Sequence, residues 1–98
     1  MLELAAIERR RTLEERMPLP VAALVADAVQ AARDEGRRPD VAIEVVPGPA
    51  ARVEGDRLLL HGALVNLLDN AIDFSPAGGT VRVAWRLDAA HVEITVRD

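Results

Sequence analysis

The chain has 98 residues, half of them apolar, with a formal net charge of −4 and no cysteine. This fits one small domain or part of a larger one, and it argues against a general nucleic-acid binder, a disulfide scaffold and a cysteine-ligated metal. Met1 opens onto alternating apolar and charged residues rather than a signal peptide, and no apolar stretch is long enough to span a bilayer.

Residues 2–16, "LELAAIERRRTLEER", read as a helix of strong helix formers with a thin apolar stripe. They form either a solvated helix with internal ion pairs or the end of a longer helix that pairs with a partner. "MPLP" at 17–20 stops that helix, because proline cannot continue it, and marks a boundary or hinge. Residues 21–35 form a second helix, with Val21, Leu24, Val25, Ala28, Val29 and Ala32 on one face and Gly36 as its C-cap. "VAIEVV" at 41–46 alternates as a strand, "PGP" at 47–49 is a turn, and "ARVEGD" at 51–56 is a short second strand. Asp56 suits the N-cap of a helix running to about Phe74, which Pro76 and the glycines at 78 and 79 stop. Residues 80–87 and 91–97 alternate with period two and form an antiparallel hairpin through 88–90. Helices on one face of a mixed or antiparallel sheet give an α+β two-layer sandwich. A last strand that stops at Asp98 leaves an open sheet edge, as expected of a truncated domain.

The helix of residues 57–74 carries the functional signal. Leu60, Leu64, Leu67, Leu68 and Ala71 share a face that suits packing on the sheet. Asn66, Asn70 and Asp73 share another, since offsets of four and three stack along a helix. Asparagine is a poor helix former, so two in register need a reason. One is a partly exposed polar face. The other is a row of oxygens facing a cleft: amide oxygens are hard neutral ligands that suit Mg²⁺, and the NH₂ groups can donate to phosphate.

"LVNLLDNAIDFSPAGGTVRV" resembles the asparagine box of sensor histidine kinases, N-L-L-x-N-A-x-K-F-S/T-P followed by glycines and a strand. Asn66, Leu67, Leu68, Asn70, Ala71, Phe74, Ser75, Pro76, Gly78 and Gly79 carry the match. "HVEITVRD" is similar to the strand that delivers the aspartate of the next motif, D-x-G-x-G. Residues 4–25 resemble the end of the dimerisation helix and the entry to the kinase domain. The resemblance thus covers nearly the whole chain, and implies a division into residues 1–17, the end of the dimerisation helix and linker, and 18–98, the N-terminal part of the ATP-binding domain. It implies that Asn70 coordinates Mg²⁺ on the phosphates of ATP, that Asn66 contacts metal or phosphate, and that Asp98 accepts a hydrogen bond from adenine. It further implies a homodimeric, cytoplasmic parent enzyme, anchored in the inner membrane by segments outside this chain. That enzyme phosphorylates a histidine and passes the phosphoryl group to a response regulator. No direct membrane contact by these residues is expected.

Asp73 departs from the pattern, because most family members carry Lys or Arg there. Reversing a charge beside a triphosphate is a large change, and three readings are open: Asp73 points to solvent, it helps hold Mg²⁺, or the site is degraded. "NAIDF" with "ERRRTLEE" most resembles the carbon-source-responsive, CreC-like subgroup. The phospho-accepting motif H-E-x-[KR]-[ST/N]-P is absent: His61 sits on the long helix and His91 opens a strand. No catalytic residue is therefore assigned, and these 98 residues are expected not to autophosphorylate, to bind ATP weakly or not at all, and to be prone to dimerisation or strand exchange. Two other readings stand beside this one. A gyrase-type ATPase or serine kinase is disfavoured because Asn66, not the water-activating Glu of E-x-x-x-N-x-x-D, precedes Asn70 by four. The other is an interaction fragment in which residues 2–35 form a dimerising helix pair and the nucleotide site is vestigial.

Overall fold

A computed structural model describes residues 17–89 and 91–98. The helix expected at 2–16 lies outside them. Five strands and two helices follow in order: β1 (Met17–Pro20), α1 (Val21–Glu35), β2 (Ala42–Val45), β3 (Arg52–Gly55), α2 (Arg57–Phe74), β4 (Thr80–Asp88) and β5 (His91–Arg97). Parallel β2 and antiparallel β5 flank β4 in a three-stranded sheet, and β1 and β3 form a separate antiparallel ribbon. The fold is the mixed α+β sandwich expected.

Each element follows from its residues. The predicted stripe of α1 is buried in full, from Val21 to Ala32. Pro20 at its N-cap has no side chain to cap with, and the first free N–H, that of Val21, donates instead to Ala51 O at 2.9 Å. Gly36 ends α1 in the left-handed region at φ 60°, its N–H donating to Ala32 O. In α2 the buried line is Leu60, Leu64, Leu68 and Ile72, a turn apart. Asp56 caps it as predicted, accepting from the Leu59 N–H at 3.1 Å. Val81, Val83 and Trp85 of β4 and Ile94 of β5 meet both helices in one core. On the other face Arg82 pairs with Glu44 at 2.7 Å and Arg86 with Glu93 at 2.8 Å.

Two expectations change. "MPLP", read as a boundary or hinge, is a strand: Leu19 is buried, and its exposed prolines sit in a two-stranded ribbon, where a missing N–H is tolerated. The strand at 52–55 pairs with β1 rather than joining the main sheet. In addition, the apolar face of α1 is taken up by the core it shares with α2; the partner helix expected at 2–16 lies outside the described residues.

Candidate functional site

The site residues lie on α2 and on the end of the sheet nearest its C-terminus. Because Leu60, Leu64, Leu68 and Ile72 turn inward, the opposite side of the helix faces out, and Asn66, Asn70 and Asp73 are all exposed there. Neither asparagine amide makes a hydrogen bond among the described residues, so their oxygens and NH₂ groups remain available. Phe74, one turn after Asn70, is 84% exposed. Asp98 follows the last pair of β5, Arg97 with Arg82, so the same register places it beside Val81. The short link Ser75–Gly79 joins α2 to the start of β4, so Asp98 and the C-terminal turn of α2 share one end of the molecule. His61 is half-buried on α2, and His91 is exposed at the start of β5.

Asp73 has a partner the sequence did not reveal. The Arg37 guanidinium, from the loop after α1, donates to its Oδ2 at 2.6 Å. Arg37 also lies 3.5 Å from Glu35 and 3.9 Å from Asp69. Asp69 is a turn before Asp73, and its buried Oδ1 meets no hydrogen-bond donor among the described residues. An unpaired buried oxygen is costly, and Arg37 is the cation nearest to compensating it. Arg37 thus serves one exposed and one half-buried carboxylate of α2.

The same loop fastens the end of α2. Arg38 Nη1 donates to the carbonyls of Ile72 and of the C-cap Ser75, both at 3.1 Å; Ile72 O also accepts from the Ser75 N–H at 3.2 Å. Its other nitrogens hold Asp40, whose Oδ2 also accepts from the Gly78 N–H at 3.0 Å. The Arg38 hydrogen bond, then the Gly78 N–H, lower the Asp40 pKa from 3.8 to about 2. Asp40 in turn raises the Arg38 pKa above its ordinary value. Arg33, Arg37 and Arg38 line a groove of about 380 Å³ with Val41, Ile43 and Ile72. Sequence reading missed these roles. The signal was present in "EGRRPD", two arginines and an acid just past a helix C-cap, but nothing local names their partners.

Residues 55–98 match the family of histidine kinase-, DNA gyrase B- and HSP90-like ATPases. The sensor-like histidine kinase SenX3 of Mycobacterium tuberculosis is 31% identical over 98 residues, the whole of this chain and 24% of SenX3. Sensor protein CreC of Escherichia coli is 34% identical over 95 residues, 92% of this chain and 20% of CreC. The chain therefore spans about a quarter or less of the length of these relatives, and the similarity does not single out one subgroup. The solved mycobacterial sensor histidine kinase MprB superposes with a TM-score of 0.72 at 32% identity, covering 83% of this chain and 53% of that one. No helix among the described residues is long and apolar enough to cross a membrane. The chain is homologous to sensor histidine kinases, and its residues 55–98 match the model of the histidine kinase-, gyrase B- and HSP90-like ATPases.

Proposed function

We propose that the outer face of α2 and the end of β5 form the nucleotide site of a sensor histidine kinase. The observation that carries this is the pair of exposed asparagine amides, one turn apart and without hydrogen-bond partners among the described residues, on a helix otherwise committed to the core. Two neutral oxygens fit Mg²⁺ as part of a set completed by phosphate oxygens and water. Asn70 and Asn66 would hold the ion, which when bound neutralises charge on the phosphates. Asn66, a turn earlier, also donates its NH₂ to phosphate. Asp98 accepts from the adenine amino group, and the exposed Phe74 ring offers an apolar surface that a bound nucleoside can cover.

Asn66 supplies no base to activate water, which supports transfer to a protein nucleophile over hydrolysis. A neutral imidazole is already nucleophilic near neutral pH, so orientation and charge neutralisation supply most of what the reaction needs. Neither His61 nor His91 is assigned as the acceptor. In this reading the acceptor histidine belongs to the dimerisation helix, the enzyme works as a cytoplasmic homodimer, and a response regulator receives the phosphoryl group. Calorimetric titration with ATP and Mg²⁺ tests the site. Asn70→Ala is expected to weaken binding roughly ten- to hundredfold, the value of a hydrogen-bonded or ligating group at a charged centre. Unchanged affinity in that variant would sink the assignment.

A further inference from the structure

Asp73 stands on the same exposed face as Asn66 and Asn70, within one turn of Asn70. A carboxylate there repels a polyphosphate, and Asp69 and Glu35 add to the same field. The nearest compensation is Arg37, 2.6 Å from Asp73, 3.5 Å from Glu35 and 3.9 Å from Asp69. Its side chain is 43% exposed, so the guanidinium is not enclosed by the carboxylates it serves. It has five N–H donors, more than its contact with Asp73 uses.

We propose that Arg37 is the compensating cation of the nucleotide site: paired with Asp73 beside the asparagine column, it cancels the acid and offers its remaining donors to phosphate. This rests on the reading of α2 as the nucleotide site and adds a residue from a different part of the chain, the loop after α1. The acid of Asp73 is tolerated because it arrives already paired, and the cation reaches the site from the loop instead of from the helix.

Of the two outcomes expected of these 98 residues, weak ATP binding or none, the proposed site commits to weak binding, so the test is titration of the chain with ATP and Mg²⁺ into the millimolar range, followed through the side-chain amide signals of Asn66 and Asn70. Arg37→Ala is expected to weaken binding roughly three- to fivefold, the scale of one exposed charge pair, with Arg37→Lys recovering part of the loss. Asp73→Asn, which removes the acid and releases Arg37, is expected to tighten binding by a similar factor. The double variant should fall between the two. Added salt should shrink all three differences. A purely structural ion pair would move thermal stability but would not make Asp73→Asn bind more tightly. If Asn70→Ala loses affinity while the Arg37 and Asp73 variants bind like the unsubstituted chain, this inference is overturned and the nucleotide site stands. If the unsubstituted chain gives no response, or Asn70→Ala binds unchanged, the nucleotide site falls and this inference with it.

Discussion

Gly79 and Gly62 sit at the end and in the middle of the segment that carries the site, and the same substitution should act on them in opposite directions. At Gly79 an added Cβ would run into Ser75 Oγ and would lie 2.9 Å from the Pro76 carbonyl oxygen. The serine hydroxyl can rotate away, but the carbonyl is backbone and held by the hydrogen bond from the Gly79 N–H. The turn must therefore open. Two hydrogen bonds depend on it: the Gly79 N–H to Pro76 O at 2.9 Å, and the Ala42 N–H to Gly79 O at 3.0 Å, which ties the start of β2 to the turn. Overpacking costs about 1–3 kcal/mol and each weakened bond about 1 kcal/mol, so Gly79→Ala should cost roughly 2–4 kcal/mol in all. For a domain of this size that lowers Tm by roughly 10–25 °C. At Gly62, exposed within α2, a Cβ meets nothing within 4 Å among the described residues. Gly62→Ala should therefore stabilise by about 0.5–1 kcal/mol, because alanine loses less backbone entropy in a helix. Thermal unfolding followed by far-ultraviolet circular dichroism measures both. Equal Tm values for the two variants, or a Gly79→Ala protein as stable as the unsubstituted chain, would refute the steric reasoning.

Two further outcomes follow from the same structure. At Gly48 a Cβ would stand 2.7 Å from Trp85 Nε1 and 2.8 Å from the Trp85 carbonyl oxygen, so Gly48→Ala should push the indole off its 2.9 Å bond to Pro49 O. Trp85 is the sole tryptophan in the sequence, so fluorescence emission should shift to longer wavelength together with a loss of stability. An unchanged spectrum contradicts the close approach. The Asp40 carboxyl is held at about 2 against 3.8, so its folded pKa is depressed. Its contribution is present above pH ~4 and fades as pH falls toward ~2. Asp40→Asn should accordingly be less stable than the unsubstituted chain at neutral pH, with the gap closing between pH ~4 and ~2. A gap that stays constant across that range would mean the Arg38–Asp40–Gly78 cluster does not fasten α2.

The parts of the fold that repeat at short range were legible in the sequence. The stripe from Val21 to Ala32, the leucines of α2 and the alternation of Val81, Val83 and Trp85 all declare themselves within a few residues, and Asp56 and Gly36 mark helix ends by local chemistry. What was hidden depends on partners far along the chain. "MPLP" reads as a helix stop, because only pairing with residues 52–55 makes it a strand. Asp73 reads as a misplaced acid in α2, because its cation lies 36 residues earlier. Arg38 likewise bonds carbonyls more than 30 residues away. No periodicity encodes such pairings. The candidate site divides the same way: its asparagine column is written into α2, whereas its charge balance comes from the loop after α1.

The nucleotide site can be watched at its own side chains. The sequence holds two asparagines, Asn66 and Asn70, and one glutamine, Gln30. Gln30 lies on α1 and donates to Asp34 at 2.8 Å. Side-chain amide NMR of the nitrogen-15-labelled chain therefore carries two reporters in the site and one outside it. Addition of ATP with Mg²⁺ should shift the Asn66 and Asn70 amides and leave Gln30 in place, and chelating the metal should return them. Asparagine signals that stay still while ATP and Mg²⁺ rise, or that move no more than Gln30, would contradict the assignment of α2 as the nucleotide site.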